Sequence, residues 1–562
     1  MSDADKSLIS KKSIASALPE AILKVLSNRG IKSQKEIEDF VKPTLNNLTS
    51  PLKMKGVPKA VKVLVDAFHD KTKIAIYGDF DMDGTPGVAL FKKSFELLGF
   101  EGLLTYQPRR LSEGYGVHAS AVESLYKNGA RLLITVDVGI TSNEGIAKAK
   151  ELGMTVILTD HHLPNEDLPS ADVIIDPHQL GCESGLTYLC GTGVAFYLVM
   201  ALKAEMAANK LLVKDFSLKE VLDLFAMATL TDVVPLVKDN RVLVKHGLLK
   251  LSETDNLGLK SLMVALELYG EKLYSEDVTM KLSPKLNSLS RLDTDLKPLD
   301  VLVTPQKNYN ELAKTVLTFH KERVELLNTC LHKADEQYLS NTTSKYIFVH
   351  DKSFHPGVVG LIAARLAERY QKPVFAAGFE SKKFVGSARL PKGLNLNLKE
   401  LLNLTDGQLE SHGGHSAAAG FSLKKENLEN FDKFLADKIT DLEFVKTDYD
   451  DVISLSLDSL SAQFMNWYDA LEPFGEGFPT PLFKLEVEVS SVKPMRGGHF
   501  RFICNSKSRS LNAVYFSPSE DQVKILESLS NRDHIAVVAQ LQWNRFLGNK
   551  KLQLLVKSIE NL

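Results

Sequence analysis

The chain has 562 residues, too many for one hydrophobic core, and implies about three or four domains. Its 44% hydrophobic and 25% charged residues are ordinary for a soluble globular protein, and a net charge of −2 argues against a generally basic nucleic-acid coat. Cys182, Cys190, Cys330 and Cys504 form no CxxC pair, so neither a zinc site nor a disulfide framework is indicated; no apolar run approaches about 18 residues and Met1-Ser-Asp-Ala-Asp-Lys6 lacks a basic stretch followed by an apolar core, so a cytoplasmic protein without a membrane span is expected.

Residues 1–70 read as short helices broken at Lys42-Pro43, with Leu23, Leu26 and Ile31 packing on the domain that follows. Lys73–Tyr77, Arg131–Val136 and Met154–Thr159 are near-continuous apolar runs, the pattern of strands buried on both faces of a parallel sheet. Helix-like stretches at Val88–Leu98 and Asn143–Leu152 alternate with them, giving a βαβ rhythm whose ligands gather at the C-terminal strand ends. Residues 241–300 are helical or irregular. Asn310–Asp335 spaces Leu312, Val316, Phe319 and Leu326 as the apolar stripe of a long amphipathic helix linking two lobes. A second α/β domain opens with a strand at Lys345–Val349 and a helix at Val358–Leu366 and ends near residue 440.

The last segment reads as β, with strands at His499–Cys504, Leu511–Phe516, His534–Gln540 and Leu552–Val556, most economically an OB-like barrel. Residues 481–562 hold 12 lysines and arginines against 7 aspartates and glutamates, so phosphate attraction belongs here if anywhere at this scale. Phe500-Arg501-Phe502 and Trp543-Asn-Arg545-Phe546 suit stacking on unpaired bases, or else are simply core. The domains are therefore 1–70, a helical segment; 71–300, the parallel-sheet domain; 301–344, the helical connector; 345–440, the second α/β domain; and 441–562, a linker and barrel.

Four acidic segments sit where strands end: Gly78-Asp-Phe-Asp-Met-Asp-Gly84, Asp137, Asp160-His161-His162 and Asp232. A lone aspartate at a strand end is ordinarily a helix cap, and a lone histidine pair a surface or core feature. Three acids spaced two apart point to one face and repel, which is unfavourable without a cation. With strands roughly 4.8 Å apart, these groups converge within about 10 Å, enough for two divalent cations about 3.5–4 Å apart. Oxygen ligands with one or two histidines select Mn2+ or Mg2+, and the chemistry is hydrolysis of a phosphodiester.

The ordered set Gly78–Gly84, Thr135-Val-Asp-Val-Gly-Ile140, Thr159-Asp-His-His-Leu163 and Thr231-Asp-Val-Val-Pro235 resembles the DHH phosphoesterases, and within them the bacterial single-strand-specific 5′→3′ DNA exonucleases. Arg110–Gly116, Leu189–Phe196, Asn287 with Arg291, Phe354–Gly360, Gly386-Ser-Ala-Arg389, Gly413–Gly420 and Leu471–Gly475 extend the likeness from about residue 75 to the C-terminus. The resemblance implies a DHH domain, a DHH-associated domain across a cleft from the metals, and a terminal barrel.

It also implies roles. Asp79, Asp81, Asp83, Asp137, His161 and Asp232 would bind the metals, with Asp137 bridging them. His162 would face the scissile phosphate, and Asp160 would orient a histidine rather than bind metal. Arg110, Arg291, Ser387, Arg389 and His415 would hold phosphates, the glycines at 413 and 414 allowing close approach. Release of 5′ mononucleotides, a place in DNA repair and recombination, single-stranded DNA as substrate, single-strand-binding protein and a helicase as partners, and a monomeric state follow from the same likeness. Thr85-Pro86-Gly87, Val138, Lys285, Ser290 and Ala388 depart from the family pattern, and Lys285 loses a bidentate fork. A phosphodiesterase of nanoRNA or cyclic dinucleotides is the enzymatic alternative, but such proteins usually lack the basic β module. A nuclease-dead binding scaffold would have lost motif carboxylates, and all are present.

Overall fold

The structure is a computed structural model that describes residues 14–303, 309–340, 342–405, 407–440, 451–546 and 549–562. It divides into two units: Ser50–Asp232 with Leu249–Thr447, and Met1–Thr49 with Val233–Leu248 and Asp448–Leu562.

In the first of these, β1 (Ile74–Gly78), β2 (Leu104–Tyr106), β3 (Leu132–Val136), β4 (Thr155–Thr159) and β5 (Val173–Ile175) form a parallel sheet in the order β2-β1-β3-β4-β5. β1 and β3 are buried along their whole length, which is why their sequences run apolar without alternation. Gly78 stands opposite Val136, and Ile134 opposite Ile157, so the C-terminal ends of β1, β3 and β4 reach one edge together. That register places Asp79, Asp137 and Asp160 on adjacent strand ends. The helix Gly84–Leu98 follows β1, and Asn143–Glu151 follows β3. The helix Gly191–Ala208 is apolar on every side and buried from Gly191 to Val199, so that part packs inside the domain, while its last turns, with Lys203 and Glu205, reach the surface. β2 and β5 are three residues each, too short for their sequences to signal a strand.

Helix Tyr309–Leu339 is the connector, about 46 Å long at 1.5 Å per residue. Leu312, Ala313 and Val316 are buried near its start; Leu327, Cys330 and Ala334 join the core of the second domain near its end. That domain holds β6 (Ile347–Asp351), β7 (Val374–Glu380), β8 (Lys383–Arg389), β9 (Ser411–Gly414) and β10 (Ala418–Lys424) in the order β6-β7-β8-β10-β9. Only β6 and β7 run parallel; the rest is antiparallel.

The other unit is built on a barrel of β12 (Leu482–Met495), β13 (His499–Asn505), β14 (Ser510–Tyr515), β15 (His534–Phe546) and β16 (Asn549–Asn561). The order β12-β13-β14-β16-β15 is closed by β12 pairing with β15, the OB arrangement, and β11 (Val452–Ser454) adds a parallel edge to β12. Phe500 and Phe502 point into this core while Arg501 between them is exposed. Of the two readings open for these aromatics, core is the one they adopt. Trp543 packs against the same core with its indole N–H donated to Asp469, 2.9 Å away.

One expectation is corrected. Leu26 lies in the barrel's core cluster and Leu23 and Ile31 pack against it, together with Ile22 and Val25 of helix Glu20–Asn28 and Ile37 and Val41 of helix Gln34–Val41. Only the part from Ser50 onward, including helix Val57–His69, belongs with the parallel sheet. An apolar helix face demands burial, but sequence spacing does not say against what. Arg241 pins this unit from a third stretch of chain: its guanidinium lies 3.5 Å from the ring centroid of Phe40 and 4.7 Å from that of Phe478, and donates to the carbonyls of Leu471 and Pro473. Burial lowers its pKa to about 9. The linker expected from residue 441, in its part up to 450, lies outside the described residues, as do residues 1–13 and 304–308.

Candidate metal centre

The loop after β1 turns tightly onto helix Gly84–Leu98. Asp81 Oδ1 accepts from the backbone N–H of Asp83 at 2.8 Å and of Gly84 at 3.0 Å. Gln107 Nε2 donates to Asp79 O at 2.5 Å and to Thr85 Oγ1 at 2.8 Å, tying the loop to the strand beside it. The Asp83 carboxylate accepts from Gly191 N at 2.5 Å and Thr192 N at 2.8 Å, at the positive end of helix Gly191–Ala208. Thr192 Oγ1 donates to Asp83 O at 2.6 Å.

Asp137 follows β3 with φ of +61°, a left-handed conformation costing about 1–2 kcal/mol in a residue with a Cβ. Strain of that kind gathers at functional sites. Asp160 follows β4, fully buried, and accepts from Ile140 N, His161 N and His162 N at 2.9, 2.8 and 3.2 Å. It also bonds His162 Nδ1 at 2.8 Å, so it orients His162 and lies outside every group of candidate ligands. Asp232 caps the end of helix Leu222–Thr231.

These elements bring the acids and histidines together. His161 Nε2 lies 3.2 Å from Asp137 Oδ1 and 3.7 Å from both Asp83 Oδ2 and Asp232 Oδ2. Three overlapping groups have ligand atoms within 4.8 Å of one another: Asp79, Asp81 and Asp137; Asp83, His161 and Asp232; and Asp137, His161 and His162. Asp137 belongs to two of them. Asp79 Oδ1, Asp137 Oδ1, His161 Nε2 and Asp232 Oδ2 are buried without a hydrogen-bond partner. Such atoms are costly unless a cation takes them. Burial, then the charges of their neighbours, holds Asp79 and Asp137 well above the carboxylate range and Asp232 at about 9. Burial keeps His161 neutral, the form that coordinates metal. The donor set fits hard divalent cations.

His162 differs. Burial opposes its charge, but the bond to Asp160 and that residue's charge win and raise its pKa to about 9. The carboxylate of Asp160 thus favours the charged form of this ring. The hydroxyl of Tyr115 lies 3.5 Å from His162 Nδ1 and 3.4 Å from Asp137 O. Tyr115, Gln107 and Thr192 are the residues sequence reasoning missed. Tyr115 and Thr192 lie inside segments already recognised as matching, whereas Gln107 carried no signal.

Three of the expected phosphate holders come together. Arg110 stacks 5.0 Å from the ring centroid of Phe80, Arg291 Nη1 donates to Gly357 O at 3.1 Å, and Arg389 Nη1 donates to Ser387 Oγ at 2.7 Å. Burial lowers the pKa of all three; Arg110 adds to the effect at Arg389, and Arg110, Arg323 and Arg389 add to it at Arg291, which reaches about 9. Ser387 stands opposite Gly420, which stands opposite Gly413, so the serine and the glycine pair lie in one row across β8, β10 and β9. His415 is exposed just beyond β9, and no contact among the described residues joins it to the arginines. Of the departures, Thr85, Val138, Ser290 and Ala388 are buried, and Ser290 Oγ donates to Asn287 O.

The DHH family, N-terminal domain, matches residues 73–229; the DHHA1 domain matches 341–441; and the RecJ OB domain matches 453–558. The single-stranded-DNA-specific exonuclease RecJ of Salmonella typhimurium is 30% identical over 571 residues, covering 96% of each chain. The crystal structure of RecJ in complex with Mn2+ from Thermus thermophilus aligns over 98% of this chain and 78% of its own, with a TM-score of 0.79 and 25% identity. A crystal structure of exonuclease RecJ bound to manganese aligns over 69% of this chain and 96% of its own, with a TM-score of 0.60 and 30% identity.

Proposed function

Because the chain belongs to the RecJ family, we infer that it is a metal-dependent, single-stranded-DNA-specific exonuclease, and that it works 5′→3′, releasing 5′ mononucleotides. The observation carrying this reading is the convergence of Asp79, Asp81, Asp83, Asp137, His161 and Asp232 at the edge of the parallel sheet, with orphaned ligand atoms among them. These residues would hold two divalent cations, Mn2+ or Mg2+, and Asp137, which belongs to two of the ligand groups, is the residue that would serve both. When bound, the cations supply Lewis acidity toward a phosphoryl oxygen and lower the pKa of water.

The chain's own groups do the rest. His162, kept protonated by Asp160, donates to a phosphate oxygen while charge builds on it. Arg110, Arg291 and Arg389 hold phosphates, with Ser387 and His415 completing the grip. Gln107, through the Asp79 carbonyl, holds the loop after β1, and the N-terminus of helix Gly191–Ala208 holds the Asp83 carboxylate. A place in repair and recombination, with single-strand-binding protein and a helicase as partners, rests on family likeness alone.

The test uses 5′- and 3′-labelled single strands and blunt duplexes with Mn2+, Mg2+ or chelator. A 5′ label should appear at once as mononucleotide, chelator should stop the reaction, and blunt duplex should resist. Equal attack on duplex, or a 5′ label released last, would reject the reading.

A further inference from the structure

The arginines near the metal centre do not end the run of positive charge. Helix Ser283–Arg291 packs on the middle of the connector helix, and His320 joins the two: its Nδ1 lies 3.1 Å from Ser288 Oγ, 3.3 Å from Pro284 O and 3.2 Å from Arg323 Nη2. The Nε–H of Arg323 is buried and unpartnered among the described residues. Lys285, half-buried one turn from Ser288, has no carboxylate or carbonyl partner among the described residues, although Lys281 one turn earlier is neutralised by Asp277 at 2.8 Å. The chain enters this helix through a π-helical segment, Asp277–Leu282, a geometry frequent at functional sites.

We propose that Lys285, His320 and Arg323 form a second phosphate-binding subsite, beside Arg291, that takes a phosphate group. Two cationic side chains with no carboxylate partner among the described residues, set beside a polar imidazole, are what an anion requires and what an unliganded fold avoids. The electrostatics agree: burial lowers Lys285, Arg323 and His320, and then each is lowered further by its neighbours, Lys285 by Arg323 and Lys281, Arg323 by Arg365, and His320 by Lys285 and Arg323. No acid figures among these influences. Arg291 ends the same helix, Ser283–Arg291, that carries Lys285 and Ser288, which sets the subsite beside the grip at the metal centre. The inference rests on the nuclease reading for its ligand, which is either a backbone phosphate of the bound strand or a free phosphate such as a mononucleotide product carries.

The experiment compares the full-length wild type with a Lys285→Gln, Arg323→Gln double variant, with circular dichroism confirming the fold and Lys285→Arg as a charge-preserving control. Binding of fluorescent oligothymidylate in chelator is measured against salt, and thermal midpoints are taken with inorganic phosphate and with dTMP. A strand phosphate is indicated if the double variant binds oligothymidylate about tenfold more weakly, with the log–log salt slope reduced by about 0.7 per lost contact, and Lys285→Arg does not. A free phosphate is indicated if phosphate or dTMP raises the wild-type midpoint and not the variant's. Unchanged affinity, slope and midpoints would overturn the subsite. Failure of the wild type to hydrolyse single strands would instead reject the nuclease reading, and the phosphate arm reads the subsite without it.

Discussion

Asp137 combines three costs in one residue: it is buried, sits in a left-handed conformation and repels Asp79, Asp81, Asp83 and Asp232. Two cations offset all of that repulsion at once. Asp137→Asn should therefore abolish hydrolysis, yet raise the thermal midpoint in chelator, because the cost of burying an ionisable carboxyl among other acids is gone. Mn2+ should raise the wild-type midpoint and leave the variant's unmoved; a variant that turns over near the wild-type rate would end the assignment. His320 gives a prediction of opposite kind. Burial, with Lys285 and Arg323 facing it, holds its pKa at about 4 in the folded protein, so the unfolded chain binds the extra proton between pH 4 and about 6.5. Stability rises with pH across that window and is lost as pH falls through it. Discounted for a half-exposed ring, the effect is about 1–2 kcal/mol. Between pH 7 and pH 5 the thermal midpoint of His320→Asn should fall less than that of the wild type.

At the scale of elements, the site depends on one helix end meeting one strand end. A Cβ on Gly191 would stand 2.5 Å from Asp137 Cβ and 2.7 Å from its Cα, closer than real side chains come. Gly191→Ala should force helix Gly191–Ala208 away from β3, cost about 1–3 kcal/mol of stability and lower Mn2+ affinity, read by melting and metal titration. Unaltered metal affinity would show that Asp83 does not need the helix end. The apolar runs of β1, β3 and β4 are legible because a strand buried on both faces has no choice of residue. The short edge strands β2 and β5 and the buried helix Leu222–Thr231 were not, since three residues carry no period and a helix apolar all round loses its stripe.

For the whole molecule, the N-terminal helices and the barrel share one core, so cutting the chain near residue 480 would expose Leu18, Ile22, Val25, Leu26, Ile37 and Val41 together. At roughly 1.5–3 kcal/mol for each large side chain, that unit would not fold, and such a truncation cannot test DNA binding. Substitution is the cleaner probe. Lys493 and Arg501 stand opposite each other on β12 and β13, exposed, with Arg496 just beyond in the same hairpin. Changing all three to glutamine should weaken binding to long single strands and reduce the salt slope by up to about 2. An unchanged slope would make this face packing or partner surface.

The sequence by itself determined the chemistry. Acids at alternate positions after an apolar strand, an aspartate after the next and an Asp-His-His after the third can only be reconciled at the shared edge of a parallel sheet, because strand spacing and direction are fixed by the backbone. Only the tertiary structure decided which histidine is charged, since His161 and His162 are neighbours in the chain and differ in what the fold sets beside them: buried acids for one, Asp160 at 2.8 Å for the other. It alone decided that Gln107 and Thr192 hold the ligands, and that Leu26 belongs to the barrel at the far end of the chain. Periodicity states that a face is apolar or a group polar; the partner is a property of long-range packing, which no local spacing encodes.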